Sequence, residues 1–397
     1  MKKDWQIKKL EECLEPVKYT TKIPSKDYKE TGKYPIISQE DELISGYWDN
    51  ETDVFKISKP LVIFGDHTRI LKYIDFDFVL GADGVKILQP KEFLNAKYFL
   101  YFLKNANIKN LGYARHYRLL KELQILIPPL TEQHRIVAIL DQKFAQIDAL
   151  KATAQKNLEN TKQLWQSELE NIFDVEKQTD LFASNDAHPN SAKVVRPEQI
   201  RLSKEKWKTV RLGDVCEITS SLVNPQEKQF LHLYHVGGAN IESETGRIID
   251  LKTSQEEGLS SGKFTFDNTM VLYNKIRPYL KKVSRPDFNG LCSADMYPLS
   301  PKENIIKDYL YYILISDNFT DYAISKSDRA GMPKVNRNAL FAYECRVPPL
   351  PEQKSIVQHL DLLNEKIKQL QAIYTKQIAD CDELKQSYLK QAFDGEL

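Results

Sequence analysis

The sequence predicts an α+β protein built as two copies of one unit. Two mixed, mostly-β globules are separated by two long helices whose apolar stripes bury against each other as a coiled coil, related by a pseudo-two-fold repeat. Three observations carry this reading. The motif Pro128-Pro129-Leu130-Thr131-Glu132-Gln133 recurs as Pro348-Pro349-Leu350-Pro351-Glu352-Gln353, 220 residues later. The register then holds without a gap: Ile136 matches Ile356, Leu140-Asp141 matches Leu360-Asp361, Leu169 matches Leu389 and Phe173 matches Phe393. Finally, each copy of the motif marks a change from strand-like to helical patterning.

Residues 1–128 form the first globule. They are rich in Tyr, Phe, Ile and Val, with turn signals at Thr31-Gly32, Ser45-Gly46 and Ala82-Asp83-Gly84, and Leu61-Val62-Ile63-Phe64 reads as a strand. One helical stretch follows late, at Ala96–Leu103. Residues 129–173 are the first long helix. Its apolar positions run Ile136, Leu140, Phe144, Ile147, Leu150, Ala154, Leu158, Thr161, Trp165, Leu169 and Ile172, in steps of three and four, without Gly or Pro. Residues 174–206 are polar and irregular, an exposed connector. Residues 207–347 repeat the globule, with a strand at Thr269–Tyr273 and a helix at Lys307–Leu314. Residues 348–397 repeat the helix along Ile356, Leu360, Leu363, Ile367, Leu370, Tyr374, Ile378, Cys381, Leu384, Tyr388 and Ala392. Pro351 suits a first helical turn, Glu132 and Glu352 suit the positive end of a helix dipole, and Gly395 suits a stop. About 43 residues at roughly 1.5 Å each make a rod of about 65 Å. That is close to two turns of B-DNA at about 34 Å per turn.

Bulk properties narrow the class. Hydrophobic content of 42% and charged content of 28% describe a folded chain rather than a disordered one. A net charge of +1 argues neither for nor against nucleic acid. The five cysteines show no zinc-like spacing and read as free thiols. An N-terminus of Met1-Lys2-Lys3-Asp4-Trp5 and the lack of an apolar run of about 20 residues point away from a leader and from a membrane, so a cytoplasmic location is expected.

Catalytic equipment is missing. Ser261-Gly262-Lys263-Phe264 lacks the rest of a phosphate loop, and no GxGxxG cradle follows a strand. The Pro-Pro pairs are not the Asn-Pro-Pro-aromatic element of amino-methyltransferases, Pro286-Asp287 lacks a nearby Glu-x-Lys, and the seven His show no paired spacing. No cofactor or metal is expected in this chain. What remains is basic, aromatic and placed on predicted loops. In the first globule His67 and Arg69 form one cluster, and Arg115, His116, Tyr117 and Arg118 a second. In the second globule Lys275, Arg277, Lys281 and Lys282 form one cluster, and Arg329, Lys334, Asn336 and Arg337 a second. Arg and Lys pair with phosphate or guanine, Asn with adenine. Any one cluster also reads as a solvated charged face. Recurrence of a cluster just before each Pro-Pro-Leu favours DNA contact.

These residues resemble the specificity subunits of type I restriction–modification enzymes over nearly the whole chain. The most specific parts are the doubled Pro-Pro-Leu-x-Glu-Gln with its Ile-Val and long helix. Trp207–Ile218 resembles the opening of such a recognition domain, as does Gly32–Ser38 with Ile44–Tyr47, which adds Ser38 and Tyr47 to the DNA-binding candidates. The run Val271–Leu280 with Gly290–Ser293 is similar to one class of these domains. The resemblance implies a non-catalytic subunit whose two target recognition domains each read half of a bipartite, asymmetric double-stranded DNA site. It implies that the helices pair as an antiparallel coiled coil, set the gap and dock two methylase (modification) subunits, with Glu132, Gln133, Glu352 and Gln353 on the docking helices. Two restriction subunits would join, and S-adenosylmethionine, ATP and Mg would belong to those partners. The alternatives are a coiled-coil scaffold that binds no DNA, and an orphan or related-system specificity subunit.

Overall fold

The computed structural model describes residues 5–82, 84–106, 108–112, 114–173, 207–327 and 331–397. The expected connector lies outside the described residues. The chain divides into two compact units, residues 1–156 with 374–397, and residues 157–373.

In the first unit, a four-stranded sheet carries Gly46–Trp48, Tyr34–Ile37, Phe78–Leu80 and Val54–Phe55 in that order. A three-stranded sheet has Leu61–Gly65 between Leu71–Ile74 and Val85–Leu88. Gln6–Lys9 pairs antiparallel with Gln124–Ile127, so the first and last strands of the globule close on each other. The helix Ala96–Asn105 is capped by the Asn95 side chain, which accepts from Lys97 and Tyr98 N–H. That helix packs Tyr98, Phe99 and Leu103 into one core with Ile136 and Leu140 from the long helix and Leu389 and Phe393 from the second.

The second unit uses the same order of parts. A four-stranded sheet runs Cys216–Glu217, Met296–Pro301, Val271–Asn274, Val283–Ser284, and a five-stranded sheet runs Leu222–Val223, Lys263–Phe266, Gly290–Cys292, Tyr234–Val236, Lys252–Thr253. Lys208–Arg211 pairs with Glu344–Val347 as the closing ribbon. Helix Lys307–Ile315 is buried along nearly its whole length, and Tyr309 and Tyr312 share a core with Leu169, Ile172, Ile356 and Leu360. Cys13, Cys216, Cys292 and Cys345 are buried free thiols. Burial pushes Cys13 up to about 11 and the other three up to about 12, which keeps them protonated and inert.

The long helices span Leu130–Phe173 and Leu350–Asp394. Inside the first unit Arg135 donates to the Leu397 carbonyl, Lys385 sits 2.5 Å from Asp148, and Lys151 sits 2.6 Å from Asp382. Numbers rise on one segment as they fall on the other, so these segments run antiparallel. Inside the second unit His359 meets Glu168 at 2.7 Å. The expected apolar stripe needs a correction. Ile136, Leu140, Ile147, Ala154, Leu169 and Ile172 are buried, as are Ile356, Leu360, Ile367 and Ala392. Leu150, Leu164, Leu370 and Leu384 from the same stripe are exposed, joined by Leu362 and Ile373. A 3.6-residue turn does not hold a single seam over about twelve turns, so part of the stripe rotates away from its neighbour.

Candidate nucleic-acid interface

Each globule carries its two basic clusters on separate stretches of chain, and one hydrogen-bond pattern joins them in both. In the first unit, strands Leu61–Gly65 and Leu71–Ile74 make a hairpin whose tip is residues 66–70. Asp66 is buried at its base. Its carbonyl accepts from His116 N at 2.8 Å, and its Oδ1 accepts from Tyr117 N at 2.8 Å. In the second unit, Val271–Asn274 and Val283–Ser284 make the corresponding hairpin with a longer tip, residues 275–282. There the Lys275 carbonyl accepts from Val335 N at 3.1 Å, and Arg277 N donates to Pro333 O at 2.8 Å. The hairpin tip and the strip before the last short helix thus become one surface, twice.

The strips match residue for residue. Arg115, His116 and Arg118 stand 219 positions before Lys334, Val335 and Arg337. Arg115, Arg118 and Arg337 are exposed and Lys334 half-exposed, and none forms an ion pair with a carboxylate among the described residues. Tyr117 lies half-buried between two ammonium groups, Lys86 at 5.4 Å and Lys121 at 5.6 Å from its ring. Burial outweighs the opposing Lys121 ammonium and holds its hydroxyl above the usual phenol range.

The tips differ. Arg69 takes a left-handed backbone (φ 63°) and gives one guanidinium N–H to the Ile108 carbonyl at 3.0 Å. Thr68 Oγ1 donates to Gln39 O at 2.6 Å, tying the tip to the neighbouring loop. In the second tip Arg277 (φ 52°) and Lys281 (φ 46°) are both left-handed around the turn Pro278–Leu280. Arg277 is exposed, and Tyr279 is 49% exposed, large for an aromatic ring with no core to leave.

Several expected contact residues turn out to build the surface rather than face outward. His116 is fully buried: its Nε2 accepts from Leu111 N at 3.0 Å, so the proton sits on Nδ1, which donates to Asp66 O. Ser38 is buried and shares a 2.7 Å hydrogen bond with Ser45. Lys275 is buried under its own tip, where Nζ donates to Ala294 O. Burial chiefly, with Lys334 adding, lowers its ammonium below the ordinary range. Lys281 pairs with Asp317, and Lys282 donates to Gly238 O at 2.6 Å. Asn336 spends its carbonyl capping Arg337–Phe341 by accepting from Ala339 N, but stays exposed. His67 and Tyr47 are half-buried. Arg329 lies outside the described residues. Asp66, which the sequence reading passed over, is the keystone of the first surface; an acid directly after a strand ending in Gly65 was its only signal.

The docking glutamines also require correction. Gln133 and Gln353 are fully buried. Gln133 accepts from Asn95 N at 2.7 Å and donates to the Phe93 and Pro128 carbonyls, both at 2.8 Å. Gln353 accepts from Ile306 N at 2.9 Å and donates to the Asn304 and Pro348 carbonyls. Each glutamine satisfies three backbone groups where globule meets helix, which accounts for a glutamine at the same place in both copies. Glu132 pairs with Arg135 at 2.7 Å, and Glu352 accepts from Trp207 Nε1 at 3.1 Å.

Among the described residues no group of His, Cys, Asp and Glu could hold a metal ion, and no helix is long and apolar enough to cross a membrane. The profile of the type I restriction modification DNA specificity domain matches residues 2–160 and again 204–376. The chain is 31% identical over 314 residues to the type I restriction enzyme EcoDI specificity subunit of Escherichia coli, covering 75% of this chain and 70% of that protein. In fold it is similar to a chain from a solved type I R-M assembly, with a TM-score of 0.69 at 17% identity over 100% of this chain and 99% of the other. It is similar in the same way to the HsdS subunit from Thermoanaerobacter tengcongensis, with a TM-score of 0.54 at 18% identity over 100% and 98%. A domain matched twice, over the two stretches that each build a basic tip-and-strip surface, places this chain in the family of type I restriction–modification specificity subunits, which recognise DNA and carry no catalytic centre of their own.

Proposed function

We propose that each globule reads one half of a bipartite, asymmetric double-stranded DNA site. The observation that carries this is the tip-and-strip surface built twice by the same backbone hydrogen bond, with cations at matching positions that have no carboxylate partner among the described residues. The two long helices form one antiparallel coiled coil that sets the unread gap between half-sites. Helices of 44 and 45 residues fit that role, since either is about 65 Å long at roughly 1.5 Å per residue. Their outward leucines and isoleucine, Leu150, Leu164, Leu362, Leu370, Ile373 and Leu384, offer apolar surface for two methylase subunits, with two restriction subunits completing the complex. S-adenosylmethionine, ATP and Mg act in those partners, and this chain binds none of them.

Deleting matched whole turns from both helices and mapping the methylated adenines tests the ruler. The tolerated gap should shorten while both half-sites keep their sequence. An unchanged gap would sink it. Binding should also weaken steeply with salt, because phosphate contacts release counterions; a complex that fails to retain DNA at any salt would instead support a scaffold.

A further inference from the structure

We propose that each surface divides its work: the matched strip cations, Arg115 and Arg118 in the first half and Lys334 and Arg337 in the second, bind phosphates, while the unmatched tips, Arg69 in the first and Arg277 with Tyr279 in the second, read bases. This rests on the DNA-reading function above. A DNA backbone is the same whatever the sequence, whereas base edges differ between half-sites. Two copies that diverge to read different half-sites must therefore retain their backbone contacts and change their base contacts.

The two copies separate along that line. The strips agree in charge at both exposed positions, 219 residues apart, although the buried residue between them is His116 in one and Val335 in the other. Holding the fold does not explain this agreement, because these four side chains have no acid partner among the described residues, and three are exposed with Lys334 half-exposed. The tips disagree in length, five residues against eight, and in content. Even the residue at the base is opposite in sign, Asp66 against Lys275, though both give the same carbonyl to the strip. Each tip holds an arginine in a left-handed backbone, where glycine would sit without steric cost, but at unmatched places, Arg69 fourth of five residues and Arg277 third of eight. The side chain is thus what the position retains. An arginine beside an exposed tyrosine can fork to guanine and press a ring on a neighbouring base edge or sugar.

The test uses the full chain in complex with its methylase partner, read by anisotropy on its site across a salt series and by mapping methylated adenines. Arg118→Gln with Arg337→Gln should weaken binding several-fold and cut the salt slope by roughly 0.9 per lost cation, leaving the methylated sequence unchanged. Lysine at both positions should restore the slope. Arg277→Gln, or Tyr279→Ala, should relax the methylated sequence at one or more positions of a single half-site. The partition is overturned if Arg337→Gln changes the half-site, or if both tip variants leave it intact. An unmutated complex with no site preference would overturn the proposed function itself, and this partition with it.

Discussion

The two globules grip their long helices with the same acid and the same tyrosine but with a different cation. In the first unit Asp141 on the helix accepts from the Tyr101 hydroxyl and pairs with Lys97 at 2.7 Å, both from helix Ala96–Asn105. In the second, Asp361 accepts from Tyr312 at 2.5 Å and pairs at 2.5 Å with Arg285, which comes from the end of a strand. Asp308, in the turn of helix where Lys97 stands in the first unit, has the opposite charge and takes the other side of Arg285 at 2.8 Å. Arg285 also lies over the rings of Tyr311 and Tyr312, at 4.8 and 5.3 Å. The helix side of the joint is fixed, and the globule side supplies whatever cation its own divergence allows. A cation facing the aspartate is present in both units, while its source moves from one element to another.

The largest expected effect lies where the joints do not differ. Gln133→Ala and Gln353→Ala each strip one N–H and two carbonyls, one of them fully buried, of the glutamine that satisfies them, so each should cost about 3 kcal/mol locally. Amide exchange at Asn95 in one variant and Ile306 in the other reads this. Similar losses in both support a shared clamp; a loss in only one would show that the two motifs have parted in role.

A smaller, unequal pair tests the cation. Asp361→Asn leaves Arg285 with only Asp308, among aromatic rings, and should cost about 2 kcal/mol, as for a partly buried charge stripped of one partner. Asp141→Asn releases Lys97, over a third exposed, to water and should cost about 1 kcal/mol or less. Exchange in the two globule helices compares them. Equal costs would mean that the extra ring contacts and second acid of Arg285 add nothing.

The patterned parts were legible in the sequence, and the parts made by tertiary closure were not. The repeat, the long helices and the helices after Asn95 and Ile306 follow from residue patterning, which is local, and Asn95 adds a side-chain cap to the first of those two shorter helices. The basic clusters could be found too, since charge is written in the residue. Which of their members face outward could not, because that depends on strands far apart in sequence. His116 and Lys275 look like contacts in a linear cluster, yet the hairpin base needs a donor and a cap there, and the fold turns both inward. Gln133 and Gln353 were misjudged for the same reason: repetition marked them as shared, and nothing local said that the sharing was internal. Leu150 and Leu384 erred the other way, apolar by pattern but outward by helical drift.

The smallest difference between the units concerns acid. His235 is buried in the five-stranded sheet of the second unit, with Nδ1 2.8 Å from Glu257 Oε2 and its Nε2 buried without a hydrogen-bond partner among the described residues. Burial, opposed by Glu257 and aided by Lys263, lowers its pKa below the usual 6.5. The unfolded chain then takes up a proton near pH 6.5 that the folded sheet refuses. The stabilisation is complete above that value and is lost as pH falls below it, toward the lowered folded value. Amide protection in strands Tyr234–Val236 and Gly290–Cys292 should therefore fall between about pH 7 and 5 more than the charge-neutral variant His235→Gln shows. The comparable parallel pair in the first unit, Tyr34–Ile37 with Phe78–Leu80, has no histidine and should stay flat over the same range. If both pairs lose protection together, the acid response belongs to the whole molecule, and His235 does not set the second unit apart.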